Sequence, residues 1–260
     1  MSVTYSNYLR IDELLSLAQP VADPPEHDEM LFIIIHQVYE LWFKQLLFEF
    51  DRFKIELTEN LLFDAVHRLK RVRTIMKTMV GQLDILETMT PMSFVSFRDR
   101  LEQASGFQSA QFRELEFLLG YKRPEMLKYH PKGTNARRAL ERRLHERSVV
   151  DHFYDFLQTQ GVDIPSELRE RDLTEATQPH ATIQAGILNM YRERPDVAVL
   201  LEQMIDYDEG QQEWRYRHVK MVERTIGNKQ GTGGSPGAAY LRKSLFNPLF
   251  PDLWAIRQDL

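Results

Sequence analysis

Six apolar residues between Asn60 and Thr88 recur at intervals of three, four, three, four and three: Leu69, Val72, Met76, Met79, Leu83 and Leu86. That spacing is one stripe of an α-helix, suited to packing against another helix, and it is incompatible with the two-residue repeat of a strand. The stretch from Asp28 to Leu57 is also helical but apolar on several faces, through Phe32, Ile35, Tyr39, Trp42, Phe43, Leu46 and Phe50. A helix apolar nearly all round belongs inside a large protein or between subunits. Two-residue alternation is nearly absent elsewhere. The chain is predicted to be all-α, a bundle of long helices.

Punctuation agrees. The 12 glycines of the 260 residues fall mostly between the periodic segments. Thr90-Pro91 reads as an N-cap followed by proline at the first helical position, opening a short helix Ser93 to Gln103 that ends at Ala104-Ser105-Gly106. A second runs from Phe107 to Leu119 and stops at Gly120. The basic, polar stretch from Tyr121 to Gly161 predicts shorter, peripheral helices. Pro195 begins a segment that stays helical to Ile226 and closes at Gly227. A glycine-rich loop, GNKQGTGGSPGAAYL, follows, with Ser235-Pro236 restarting a helix. No internal repeat or long linker divides the chain, so residues 1–260 are expected to form a single domain.

Composition removes whole classes of chemistry. There is no cysteine, which excludes disulfides, thiolate zinc sites, iron–sulfur clusters, thiolate-ligated heme and a cysteine nucleophile. A net charge of −5 excludes a broad cationic footprint for nucleic acid. The N-terminus MSVTYSNYLR lacks the pattern of a signal peptide, and the apolar run Leu31 to Ile35 is far short of the roughly 20 residues a membrane span needs. A cytoplasmic protein without a membrane segment is the expectation.

Without cysteine, histidines lead as ligands for a transition metal or heme iron. His218 shares a helix face with Trp214, Met221, Val222 and Thr225. His36 has Phe32, Tyr39 and Phe43 one turn to either side. Each could equally be a hydrogen-bonded core histidine. The other six, His27, His67, His130, His145, His152 and His180, lie in polar or boundary segments and read as surface residues. The zinc-protease motif fails because Val149 follows His145-Glu146 at the second histidine's place, and no Glu-x-x-His pair exists for a di-iron bundle. Two isolated histidines on apolar helix faces suit a heme, whose iron needs one protein ligand, better than a bare ion.

Two further features await a partner. Gly231-Thr232-Gly233-Gly234 satisfies neither the P-loop nor the dinucleotide pattern, so it is a connector or a lid closing over a small polar ligand. Arg98 and Phe94 are one turn apart, offering a guanidinium beside an aromatic plane. That arrangement makes either a surface salt bridge to Asp99 or Glu102 or a site for an amino-acid carboxylate.

The blocks LFIIIHQVYELWFKQ, FRDRLEQASGFQSAQFR and WRYRHVKMVERTIGNKQGTGGSPG, taken together and in this order, closely resemble the tryptophan 2,3-dioxygenase family. The resemblance spans about Tyr5 to Tyr240. It implies an all-helical bundle enclosing heme b, one per subunit and ferrous when active, in a homotetramer. The implied reaction opens the indole 2,3-bond of L-tryptophan with O2 to give N-formyl-L-kynurenine, the first step of tryptophan degradation by the kynurenine pathway. A related heme enzyme oxygenating a modified tryptophan or other indole is the alternative.

By the same resemblance, His218 is the axial iron ligand and His36 the partner of the indole N–H, with Phe32 packed beside the indole. Arg98 pairs with the substrate carboxylate, and Thr232 lies near the substrate ammonium and carboxylate. Ser105 and Gly106 lie along the heme edge near bound oxygen. Tyr5, Tyr8 and Leu9 belong to an N-terminal arm, residues 1–20, reaching a neighbouring subunit's site. Two departures stand out: Phe94 where some members carry a tyrosine that touches the carboxylate, and apolar Ile35 where a polar residue is expected before His36.

Overall fold

A computed structural model describes residues 2–102, 104–232 and 237–260. Its helices are α1 (Tyr5–Leu9), α2 (Ile11–Ser16), α3 (His27–Thr58), α4 (Leu62–Leu86), α5 (Pro91–Arg98), α6 (Ala110–Leu118) and α7 (Asn135–His145). There follow α8 (Val149–Thr159), α9 (Ser166–Arg169), α10 (Ala181–Glu193), α11 (Pro195–Ile226), α12 (Ala238–Arg242) and α13 (Pro251–Ala255). No strand occurs among the described residues, and none of their helices is long and apolar enough to cross a membrane.

The long helices α3, α4 and α11 form the frame: α4 packs along both of the others, and α3 also supports α6 and α8. All six residues of the α4 stripe are at most 7% exposed, which is what makes this helix the shared partner of its neighbours. The multi-faced α3 buries Ile35, Tyr39, Phe43, Leu46, Phe50, Phe53 and Leu57. Charges buried at the α3–α4 contact are paired, Glu49 with Arg68 and Arg71, and Glu56 with Arg68. Without those partners a carboxylate 1% exposed would cost several kcal/mol, on the order of 3 to 5.

The helix ends follow local chemistry. Thr90 caps α5 by accepting from the Ser93 backbone N–H, with Pro91 opening the helix as expected. Past Arg98 the chain tightens into a 3₁₀ turn, Asp99–Leu101, so this helix ends earlier than its sequence indicates; Gln103 lies outside the described residues. The next segment is divided. A 3₁₀ turn, Gly106–Gln108, is separated from α6 by Ser109, whose side chain caps α6 through the Phe112 N–H. Gly120 has φ +95°, a conformation a side chain would strain, and a Cβ there would also meet Thr177 Oγ1 at 3.0 Å. Gly227 closes α11 with φ +61°. The helix restart at Ser235-Pro236 lies outside the described residues.

Two expectations are corrected. The stretch from Tyr121 to Gly161 is not wholly peripheral, because α8 buries Val149, Val150, Phe153, Tyr154, Phe156 and Leu157 and packs against α3. His130 is not a surface residue; it is 4% exposed, behind the turn Pro124–Tyr129 and close to Arg113 and Arg137. Its sequence neighbours are polar, but tertiary packing decides its burial.

The C-terminal segment returns to the middle of α11. Asp208, fully buried, accepts from the backbone N–H groups of Leu249 and Phe250 and from Trp254 Nε1 at 2.8, 3.0 and 3.0 Å. One carboxylate thus secures a chain end to the helix that carries His218.

Candidate active site

His36 and His218 line the same cavity, of about 270 Å³, in the middle of the helical frame. Phe32, Phe94, Arg98, Ser105, Gly106 and Thr232 line it too. Residues from α3, α5, α11 and the two loops, more than a hundred positions apart in sequence, are brought to one chamber. The face of α11 read from the sequence, with Trp214, Met221, Val222 and Thr225, is the face it presents to the cavity.

On α3, the Nδ1 of His36 lies 2.6 Å from the Phe32 carbonyl oxygen. A carbonyl only accepts, so Nδ1 carries the hydrogen. Burial holds the His36 pKa below its usual value, which keeps the ring neutral and leaves Nε2 as an acceptor. The Phe32 ring sits 4.2 Å from the His36 ring, and Phe94 lies 5.7 Å beyond Phe32. Ile35 is 5% exposed, facing the core, where a polar side chain would need a partner.

Arg98 makes no ion pair with Asp99 or Glu102 among the described residues. Its Nη2 donates to the Gln230 carbonyl at 2.6 Å, which ties α5 to the glycine-rich loop. Among the described residues its Nε is buried without a partner, so the guanidinium keeps donor capacity for an anion. The loop returns through Gly237, with φ +63°, where a Cβ would meet the Lys229 carbonyl oxygen at 2.6 Å. Only glycine fits that approach. Gly231, Thr232 and Gly237 all reach the cavity wall, while Gly233 and Gly234 lie outside the described residues.

His218 is held neutral: burial, and then the proximity of His36 and Arg113, push its pKa down to about 4. A neutral imidazole is the form that ligates a metal. Among the described residues, no three His, Asp or Glu side chains converge to hold a bare ion. On its own wall of the cavity His218 offers one neutral imidazole among Trp214, Val219, Met221 and Val222, a donor that fits heme iron.

The cavity also carries a charge cluster that sequence inspection overlooks. Glu116, 2% exposed, is met by Arg113 at 2.5 Å, Arg123 at 2.6 Å and Arg215 at 3.3 Å. Burial alone would raise the Glu116 pKa, but the three guanidinia outweigh it and hold it below the usual carboxylate range. Three cations against one anion leave an excess of positive charge, and among the described residues the Nε atoms of all three arginines are buried without partners. Buried cations of this kind need an anion. The two carboxylates of a heme supply that charge, so this part of the chamber also fits the group. The available signal was in FRELEFLLG, where α6 places Arg113, Glu114 and Glu116 among six successive buried positions.

Tyr5, Tyr8 and Leu9 do not join this chamber within the chain; all three are exposed, and α1 and α2 bury no residue.

Comparison with known proteins follows the same outline. The family model described as tryptophan 2,3-dioxygenase matches residues 1–144 and 179–260. The unmatched stretch between them contributes nothing to the cavity wall. The tryptophan 2,3-dioxygenase of Herpetosiphon aurantiacus is 55% identical over 259 residues, covering 100% of this chain and 99% of the relative. That of Anaeromyxobacter sp. (strain K) is 49% identical over 259 residues, covering 100% and 97%. That of Bacillus thuringiensis subsp. konkukian is 40% identical over 262 residues, covering 100% and 93%. With the match running through α3 and α11, which carry His36 and His218, the chain belongs to the tryptophan 2,3-dioxygenase family.

Proposed function

We propose that the chain opens the indole 2,3-bond of L-tryptophan with O2, giving N-formyl-L-kynurenine, the first step of tryptophan degradation by the kynurenine pathway. The observation that carries this reading is the shared cavity, where a neutral His218, an accepting His36 Nε2 and the spare donors of Arg98 converge. The cofactor is heme b, one per subunit and ferrous when active, and His218 would hold its iron. When bound, it supplies the activation of O2.

The protein's part is to bind and orient. His36 Nε2 accepts from the indole N–H, and Phe32 packs beside the ring. Arg98 pairs with the substrate carboxylate, and Thr232 contacts the ammonium and carboxylate. Phe94 contributes an apolar wall, without the hydroxyl some relatives place there. Ser105 and Gly106 flank the oxygen side. Arg113, Arg123 and Arg215 face the carboxylates of the cofactor. His36 acts as an orienting acceptor: its Nδ1 proton is committed to a backbone carbonyl, and attack on a ring carbon does not require the indole proton to leave first.

The 260 residues work as one domain, in a homotetramer located in the cytoplasm. Two unpartnered surfaces support assembly. Residues 1–20 form an arm whose Tyr5, Tyr8 and Leu9 would reach a neighbouring copy's site. Along α3, Ile34, Leu41, Phe48 and Ile55 are exposed at seven-residue intervals, the repeat that pairs with another long helix. In this chain α11 matches that length and α4 is shorter, but both expose mainly polar residues, leaving α3 of a second copy as the partner.

The test is the purified protein, reconstituted with heme and supplied with L-tryptophan and O2 under reducing conditions. Incorporation of both atoms of one O2 into N-formylkynurenine is expected. A colourless protein that leaves tryptophan unchanged overturns the reading, and a product carrying a single oxygen atom replaces it with a mono-oxygenating relative acting on an indole.

A further inference from the structure

Trp214 and His218 lie one turn apart on α11, and their rings are parallel within 4°, with centroids 5.4 Å apart. A helix places residues four apart on one face, but it does not dictate the planes of their rings. The cause lies in the surroundings of Trp214, which is 8% exposed. From α3, Tyr39 meets it edge-on at 6.0 Å and Phe43 perpendicularly at 6.2 Å. From α6, Phe112 leans on it at 5.2 Å. The Tyr39 hydroxyl is itself fixed by donating to the Met79 carbonyl on α4 at 2.7 Å. The indole is therefore held by two neighbouring helices, one of them braced on α4, and the imidazole lies parallel to it.

A metal-bound histidine is ordinarily oriented by a hydrogen bond from its second ring nitrogen to a carboxylate, carbonyl or water. His36 has such a bond to the Phe32 carbonyl. Among the described residues, no side chain or backbone group of the protein hydrogen-bonds the His218 ring, and the aromatic ring stacked with it is the Trp214 indole. We propose that Trp214 is a positioning residue for the iron ligand: its clamped indole sets the plane of the His218 imidazole by stacking. The inference rests on His218 as the axial ligand. It also adds a link across the chamber, because α3 carries Phe32 and His36 for the substrate and Tyr39 and Phe43 for the indole that orients the ligand.

The holoenzyme tests this directly. Ferrous wild type, Trp214→Phe and Trp214→Leu are compared by the iron–imidazole stretching band in resonance Raman spectra and by the rate of heme transfer to excess apomyoglobin. Trp214→Leu stays apolar but loses the flat ring and part of its volume. It is expected to shift and broaden the band and to release heme roughly two- to tenfold faster, the scale of one aromatic contact. Trp214→Phe, with a smaller flat ring, is expected to recover most of both properties, and it decides the matter by its band position should the leucine variant not fold. Wild-type bands in the loaded variants overturn the proposal, even if the melting temperature falls, since that pattern leaves Trp214 with packing alone. A wild type with heme bound but no iron–imidazole band overturns the ligand assignment instead, and the inference with it.

Discussion

The His36 Nδ1 stands 2.6 Å from the carbonyl oxygen of Phe32, one turn earlier on the same helix, and this contact decides which ring nitrogen can receive a proton. Because Nδ1 is the donor, the neutral ring offers Nε2 to the cavity as an acceptor.

Methylating the indole nitrogen of the substrate should therefore cost the wild type what His36→Ala costs with unmodified tryptophan. A neutral hydrogen bond contributes about 0.5–1.5 kcal/mol, or roughly two- to tenfold in kcat/KM. In His36→Ala the methyl group should add no further loss. An equal methyl penalty in both enzymes would show that His36 is not the partner.

Arg98→Ala is expected to weaken tryptophan use by about 1.5–3 kcal/mol, roughly tenfold to 150-fold, as a charged hydrogen bond is removed. Tryptamine, which lacks the carboxylate, separates the two roles of this side chain. Its turnover should be insensitive to the substitution if the carboxylate contact dominates. A parallel loss with tryptamine would assign the effect to the bond between Arg98 and the Gln230 carbonyl.

The seven-residue stripe on α3 predicts assembly. Replacing Leu41 and Phe48 together by glutamate removes two apolar contacts of about 1.5–3 kcal/mol each and should weaken association by roughly a hundredfold or more. Sedimentation velocity at micromolar concentration should show smaller particles than the wild type. An unchanged sedimentation coefficient places the interface elsewhere.

Asp151 gives a pH dependence of stability. Burial would raise its pKa, but hydrogen bonds from the Ser148 hydroxyl and N–H and the Arg171 guanidinium at 2.7 Å outweigh burial and leave the value below the usual one. A carboxyl with a depressed folded-state pKa adds stability above its unfolded pKa, about 3.9, and loses it as the pH falls through the folded value. In urea titrations, the difference between wild type and Asp151→Asn should be full at pH 6 and shrink below pH 4. A constant difference over that range would contradict the assignment.

Much of this molecule is legible in its sequence because helical periodicity is local. The α4 stripe predicts its own burial, and Thr90-Pro91 predicts its cap. His36, Arg98, Thr232 and His218 sit in segments distinctive enough to carry the family likeness, and the fold brings them to one cavity. The Glu116 cluster is harder to see. Its arginines come from three places along the chain, and each alone reads as a surface charge. His130 misleads for the same reason: its neighbours in sequence are polar, but its neighbours in space close over it. The parallel planes of Trp214 and His218 depend on side chains from α3 and α6, which no spacing on α11 encodes.

Terminal tails are usually dispensable, yet this one is sewn into the interior at Asp208. Cutting the chain before Leu249 would strand the Asp208 carboxyl among apolar neighbours and unmoor the helix ten residues short of the His218 imidazole. An affinity tag fused beyond Leu260, which is half exposed, leaves the stitching alone; a shortened version designed to trim the end would loosen the wall that carries His218.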